Sequence, residues 1–382
     1  MRLGVDLTLS ITQARGFDDS QTSMIPKNID EASADWLSDV MGASIAARTP
    51  TQIGQGVGIM GDIFKVILDY AEANASGPQS VVVKLPSSFE ENRTQGVALG
   101  MFEAEVRFYN ELAHNVSVGL PKVYRAEIES GTADFVIVME DLSHFSLVDQ
   151  SAGMSAKQAY DAVRVLAHVH AVWWDKAKDE ALEWIPSMVG PRIAFVDELL
   201  PQLLPPFLAG FGDALTSDGQ ALYERFAGNY LKVNQTLAGR SPWTLVHQDY
   251  RVENLMFGEP ESGDVVVLDW QGIGRGPGSY DLAYILGGSM QPEVRRANET
   301  ELLDAYHRQL VELGVSAYSR EQLADDYALS QLQGGLATAM VVCGGMDLSN
   351  ERGRELGTTM ATRHATAALD HNGLELLNQI VG

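Results

Sequence analysis

The sequence predicts an α+β protein of two lobes, a small β-rich one followed by a larger, mainly helical one. Apolar β-like runs are concentrated in the first 140 residues of a 382-residue chain. Helical periodicity dominates afterwards, first over 156–175 and again over 299–380. At roughly 100–200 residues per domain, the length suits two units. No proline-rich linker separates them, so the lobes are expected to pack around a cleft, with the boundary after Asp141: 1–141 and 142–382.

Composition narrows the function. Hydrophobic residues make up 45% and charged residues 20%, an ordinary globular balance. The 27 Lys and Arg stand against 51 Asp and Glu, a net −24 that opposes nucleic-acid binding, which needs clustered cations on phosphates. Cys343 is the single cysteine, which excludes an internal disulfide framework and a multi-cysteine zinc site. Met1 to Ser10 lacks the apolar core of a secretory signal, and Leu336 to Met346 falls far short of the ~20 residues of a membrane span. No period of 20–50 residues repeats, so a solenoid is not expected. The expectation is an acidic, soluble, cytoplasmic protein.

The elements follow in order. A first helix is expected over 30–48, capped by Asp30, with Trp36, Leu37, Val40 and Met41 at helical spacing. A glycine cluster comes next: Gly54, Gly56, Gly58 and Gly61. Strands are expected over Asp62 to Tyr70 and Ser80 to Leu85, separated by the turn-rich stretch Asn74 to Gln79. Residues 99–113 form a helix with Met101, Val106, Phe108, Tyr109 and Leu112 as its apolar positions. A strand pair over 122–139 ends in Val136 to Met139. The helix at 156–175 carries Ala159, Val163, Leu166, Ala167 and His170 on one face. Short β-like runs recur at Thr244 to His247, Leu255 to Phe257 and Val265 to Leu268.

The chemistry is concentrated around His247-Gln248-Asp249. An amide, Asn254, lies five residues beyond Asp249, and a second acid, Asp269, closes the apolar run Val265 to Leu268. Such a layout suits phosphoryl transfer: Asp249 can accept a proton from an attacking hydroxyl, and Asn254 and Asp269 offer hard oxygens to Mg²⁺. His-x-Asp, four residues, Asn, then a metal-binding Asp is also the order of the protein-kinase signature. Each acid alone reads as a surface charge on a capped turn; the ordered set does not.

Gly56-x-Gly58-x-x-Gly61 matches the dinucleotide fingerprint, but a polar stretch precedes it and a strand-like run follows. A flap over nucleotide phosphates therefore fits better than a Rossmann turn, with a plain hairpin as the bland reading. Lys84 sits at the end of the apolar run Val81-Val82-Val83, where a solvated charge is less expected, and suits a phosphate-contacting lysine. Glu103 and Glu105 on the next helix are both candidate partners for it.

These residues carry a resemblance to the aminoglycoside/choline phosphotransferase superfamily, closest to its ecdysteroid-kinase-like or choline-kinase-like branch. It is spread over 34–286: Ala34-Asp35-Trp36-Leu37, Glu105-Val106-Arg107-Phe108-Tyr109, Met139-Glu140-Asp141-Leu142, the Asp249 and Asp269 loops, and Gly278-Ser279-Tyr280-Asp281-Leu282-Ala283-Tyr284-Ile285. The resemblance implies a two-lobed protein-kinase-like fold using ATP and Mg²⁺, with 1–141 as the nucleotide-binding lobe and 142–382 carrying catalysis and acceptor binding. It selects Glu105 as the partner of Lys84, and it implies that Met139, Glu140 and Asp141 hold adenine at a hinge. Gly54, Gly56 and Gly58 would cradle phosphate, and Asp281 would brace the catalytic loop. Gln271 stands where several relatives carry a second acid.

The implied activity is transfer of the γ-phosphoryl group to a hydroxyl of a small molecule: an amino sugar, an amino alcohol or a lipophilic alcohol. The alternative is a catalytically silent kinase-like binding protein, against which the intact Lys84, Asp249, Asn254 and Asp269 argue. A protein kinase is disfavoured because eleven residues between Asp269 and Asp281 leave little room for an activation loop. His170 reads as structural, and His168 lies on a different helix face, which disfavours a zinc pair. Cys343 reads as buried and inert. The apolar stretch 193–211, broken by three prolines, and five tryptophans between 173 and 270 read as core. The sharper alternative is an acceptor wall including Phe207 and Leu208.

Overall fold

The computed structural model describes residues 24–54, 60–72, 76–344 and 351–382. The first helix, α1 (Ala34–Met41), is shorter than its apolar spacing suggests. Ser33, not Asp30, caps it, accepting a hydrogen bond from Trp36 N at 3.1 Å. Gly42 ends it at φ +64, the left-handed conformation that glycine adopts without a Cβ penalty. The chain then enters β1 (Ile45–Ile53), which takes up the end of the helix expected over 30–48 and the polar stretch after it. This is an edge strand with only Ile45 buried, so no apolar alternation betrays it.

β1 pairs antiparallel with β2 (Gly61–Tyr70), and β2 with β3 (Ser80–Pro86). Two helices follow, α2 (Glu90–Ala98) and α3 (Met101–Arg107), before β4 (Val123–Ile128) and β5 (Phe135–Glu140). The helix expected over 99–113 is regular only to Arg107; residues 108–112 widen into a π-turn and 113–115 tighten into a 3₁₀ turn. The five strands form one antiparallel sheet in the order β1-β2-β3-β5-β4. The glycine cluster thus connects antiparallel neighbours, which excludes a βαβ dinucleotide turn.

The period of two along β3 sets its chemistry. Val81, Val83 and Leu85 turn to one face and pack with Leu37, Val66 and Val138. Lys84 therefore turns to the other face, toward α3.

The rest of the chain is mainly helical. After the short β6 (Ser146–Leu147) comes α4 (Ala156–Val172), opened by a Ser155/Gln158 capping box. Next is α5 (Pro191–Phe211), a single 21-residue helix despite Pro201, Pro205 and Pro206 inside it. Each proline removes a backbone donor and ordinarily breaks a helix. Here Ile193, Leu200, Phe207 and Phe211 share one face buried in a core with α6 (Ser217–Phe226) and α7 (Tyr230–Ala238). Phe207 is fully buried, with its ring 4.5 Å from that of Tyr223, so it belongs to this core and not to an acceptor wall. Leu208 is half-buried against the same core.

β7 (Trp243–Val246), β8 (Leu255–Phe257), β9 (Val265–Val267) and β10 (Gly274–Pro277) make two small sheets, β10-β7 and β6-β8-β9. They hold the loops bearing Asp249 and Asp269. The helices α8 (Ser279–Ser289), α9 (Pro292–Glu312), α10 (Arg320–Ser330), α11 (Gly334–Gly344), α12 (Glu351–Asp370) and α13 (Gly373–Val381) complete the fold. Among the described residues no helix is long and apolar enough to cross a membrane. The α+β class read from the sequence is the one observed.

Candidate functional site

Lys84 Nζ lies 2.7 Å from Glu105 Oε2 and 2.9 Å from Asp269 Oδ1, so strand β3, helix α3 and the loop after β9 meet at one ammonium. Glu105 is buried at 1% exposure, whereas Glu103 accepts a hydrogen bond from Ser130 Oγ at 3.1 Å. Glu105 is thus the carboxylate that reaches the lysine. Burial opposes the Lys84 charge, but the two carboxylates overcome it and raise its pKa. Asp269 is half-buried; burial works against its charge, yet Lys84 holds its pKa below the usual carboxylate range. Glu105, deeper and repelled by Asp269, is pushed up by burial despite the same lysine.

Asp269 has φ +65, an unfavourable conformation for a residue with a side chain. The turn is pinned by Trp270, whose ring stacks on Phe108 at 3.9 Å, and by His247, whose ring meets Trp270 edge-on at 4.7 Å. Gln271 Nε2 donates to Asp269 Oδ2 at 3.2 Å, while Gln271 Oε1 is buried without a partner among the described residues. Glycine would suit this φ but could not carry the carboxylate.

The loop of Asp249 is braced from below. Asp281 at the start of α8 accepts His247 N at 2.6 Å and Gln248 N at 2.9 Å. His170, fully buried, lies 3.2 Å from Asp281 Oδ2 through Nε2 and 2.7 Å from the Tyr306 hydroxyl through Nδ1. This is the structural histidine that the helix pattern implied. Cys343 is buried, and burial pushes its thiol up to about 12, which leaves little thiolate for reaction.

Asp249 itself is only partly exposed and is held on both oxygens. Asn254 Nδ2 donates to Asp249 Oδ2 and to the Asp249 carbonyl, each at 2.8 Å. The Tyr284 hydroxyl donates to Oδ1 at 3.0 Å, and Arg251 Nε lies 3.5 Å from Oδ2. Arg251 also pairs with Glu253 at 2.5 Å; burial opposes its charge, but Asp249 and Glu253 raise its pKa. Sequence reasoning passed over Tyr284 and Arg251. Both lie inside motifs it used, one three residues after Asp281 and the other two after Asp249.

The remaining candidates are more dispersed. Gly54 ends β1 at φ +68, and a Cβ on Gly61 would meet Leu85 O at 2.9 Å; Gly56 and Gly58 lie outside the described residues. Met139 and Glu140 end β5 beside Val82 and Val81. The Glu140 N–H is donated to Lys122 O at 2.9 Å, which removes it from the donors available at a hinge. The Asp141 side chain is a clamp: it pairs with Lys65 at 2.8 Å and accepts from Ser143 N at 2.9 Å. Burial works against its charge, and those partners with Ser80 lower its pKa well below normal.

A lysine on a sheet, a helix glutamate and a loop aspartate meeting across two lobes define a kinase-like protein. The chain belongs to the ecdysteroid kinase-like family, whose pattern it matches over residues 55–316. A choline kinase from Cryptosporidium parvum has a similar fold, with a TM-score of 0.54 at 10% identity over 87% of this chain and 90% of that one. So does a candidate aminoglycoside phosphotransferase from Ralstonia eutropha, with a TM-score of 0.53 at 19% identity over 88% of this chain and 97% of that one. An uncharacterised kinase-like protein of Caenorhabditis elegans is 24% identical over 216 residues, 53% of this chain and 55% of the relative. The chain thus spans about half the length of that curated relative.

Proposed function

We propose that the protein is an ATP- and Mg²⁺-dependent O-phosphotransferase acting on a hydroxyl of a small molecule. The observation that carries this reading is the Lys84–Glu105–Asp269 junction, set beside an Asp249 carboxylate held on both oxygens. Residues 1–141 would be the nucleotide lobe, with Lys84 on the phosphates, Gly54, Gly56 and Gly58 in the flap, and backbone groups of Met139 to Asp141 at adenine. Residues 142–382 would carry catalysis and the acceptor, and an ATP-dependent role suits the cytoplasm.

The donor set fits Mg²⁺. Asn254 spends its amide nitrogen on Asp249, which leaves its oxygen for a cation, and the unpartnered Gln271 oxygen lies beside Asp269. Among the described residues no group of three or more His, Cys, Asp and Glu converges as a metal cage, which suits an ion held by one or two protein oxygens and by phosphates. When bound, the ion neutralises charge on the transferred phosphoryl group.

Asp249 takes the proton of the acceptor hydroxyl as that oxygen forms its bond to the terminal phosphorus. The bridging P–O bond breaks and ADP leaves. Lys84 holds the phosphates in line, and Glu105 shares and orients its ammonium.

The test is Mg²⁺-dependent ADP release against pooled amino sugars, choline-like alcohols, sterols and other lipophilic alcohols. At least one pool should raise wild-type turnover and leave Asp249→Ala silent. Acceptor-stimulated turnover that survives Asp249→Ala, or silence across all pools with no Mg-ATP binding, would overturn the reading.

A further inference from the structure

A strip of polar side chains runs from Asp249 into the helical lobe, and its charge is the reverse of the molecule's. It comprises Tyr284 and Tyr280 of α8, stacked with rings parallel within 5° and centroids 6.2 Å apart, then Tyr230, Arg192 and Gln248. Tyr284 touches the carboxylate of Asp249, and Gln248 precedes it in the chain, so the strip borders the reacting position.

Arg192 is the unusual member. At the start of α5 it is half-buried, and Nη2 donates to Gln248 Oε1, to Gly272 O at 3.1 Å and to Ile273 O at 3.5 Å. Nε and Nη1 have no hydrogen-bond partner among the described residues, and no described carboxylate lies within ion-pair distance. Asp197 on the same helix accepts Leu231 N at 3.2 Å instead. Both oxygens of Asp281 are taken by the catalytic loop. The Gln248 amide is held in the same arrangement: Oε1 faces Arg192, and Nε2 is buried with no partner among the described residues.

A half-buried guanidinium without an acid keeps Nε and Nη1 open to solvent, free to receive an anion. Burial lowers the Arg192 pKa, and no carboxylate opposes that fall. In a chain of net −24, a lone cation and an orphaned amide donor converging beside the catalytic carboxylate form a site for an anion. An ammonium there would meet the Arg192 charge directly.

We propose that the acceptor carries an acidic group, a carboxylate or phosphate, and that Arg192 with the Gln248 amide receives it. This rests on the phosphotransferase reading and selects within it: the acceptor is a hydroxylated acid, not an amino alcohol or amino sugar. Arg192 would set specificity through the fork-like, charge-assisted hydrogen bonds that guanidinium makes with such groups.

The experiment uses the full chain with Mg-ADP and three matched series of one chain-length range: ω-hydroxycarboxylates, their methyl esters and ω-amino alcohols. Binding is read by calorimetry, and phosphorylation with Mg-ATP is read separately. The acids should bind best, at least about tenfold tighter than the esters, and Arg192→Met should erase that margin while Mg-ADP affinity stays unchanged. Arg192→Lys should recover part of it, which a purely structural role for the guanidinium would not produce. Equal or tighter binding of the amino alcohols, or an acid preference untouched by Arg192→Met, would overturn the proposal. A failed kinase reading has a different signature: acids bound in an Arg192-dependent way, with no Asp249-dependent transfer.

Discussion

The Tyr284 hydroxyl donates to Asp249 Oδ1 at 3.0 Å across 35 residues of chain, while Asn254 secures the other oxygen. Asp249 is therefore oriented by two donors of different origin, one from its own loop and one from helix α8. Tyr284 is buried, and the neighbouring carboxylate adds to burial in raising its phenol pKa well above normal, so it stays a donor throughout the working pH range.

Tyr284→Phe removes one hydrogen bond to a charged group and little volume. Its expected effect is a fall in kcat of about tenfold, the equivalent of ~1.4 kcal/mol, with the KM for ATP unchanged. Steady-state kinetics check it. A rise in the KM for ATP at constant kcat would show that Tyr284 acts on nucleotide binding instead.

Asp281 accepts two consecutive backbone N–H groups of the Asp249 loop and lies against His170, with Asp281 and His170 both fully buried. Asp281→Ala leaves those donors unmet and should cost about 2–5 kcal/mol, seen as a fall of several degrees in Tm. Asp281→Asn retains an acceptor oxygen for one N–H and should lose less. Equal Tm values for wild type and Asp281→Ala would contradict the bracing role.

His364 supplies a pH dependence. Burial first, and the Arg363 charge second, lower its pKa to about 3. The unfolded chain takes up this proton near pH 6.5 and the folded chain only near 3. Stability is therefore full above about pH 6.5 and lost progressively as pH falls toward 3, by about 1.4 kcal/mol per unit. Urea unfolding at pH 7 and pH 5 should show about 2 kcal/mol more loss in the wild type than in His364→Gln. An identical loss in both would show that the folded imidazole protonates normally.

The legible parts of the protein were those whose signal is local. Asp249, Asn254 and Asp269 could be read together because one loop and one strand end carry them at a fixed spacing, and Lys84 because an apolar strand surrounds it. Helical spacing alone could not choose between Glu103 and Glu105: it sets them on different faces, and which face meets Lys84 is decided by how α3 packs on the sheet. Strand β1 was hidden because an edge strand with one buried residue has no alternation to detect. The prolines of α5 read as breaks because their cost is local, whereas the burial of Leu200, Phe207 and Phe211 that outweighs it depends on helices far along the chain. Arg192 escaped notice for the same reason: its partner Gln248 lies 56 residues away.

The measurement that bears most directly on the central claim is calorimetric titration of ADP, with and without Mg²⁺, into wild type, Asp269→Asn and Asp249→Asn. The expected result is Mg²⁺-dependent binding in wild type, weakened about tenfold or more in Asp269→Asn and retained within a few-fold in Asp249→Asn. Binding that ignores Mg²⁺, or that fails with Asp249→Asn and survives Asp269→Asn, would contradict a nucleotide site built on Lys84, Glu105 and Asp269.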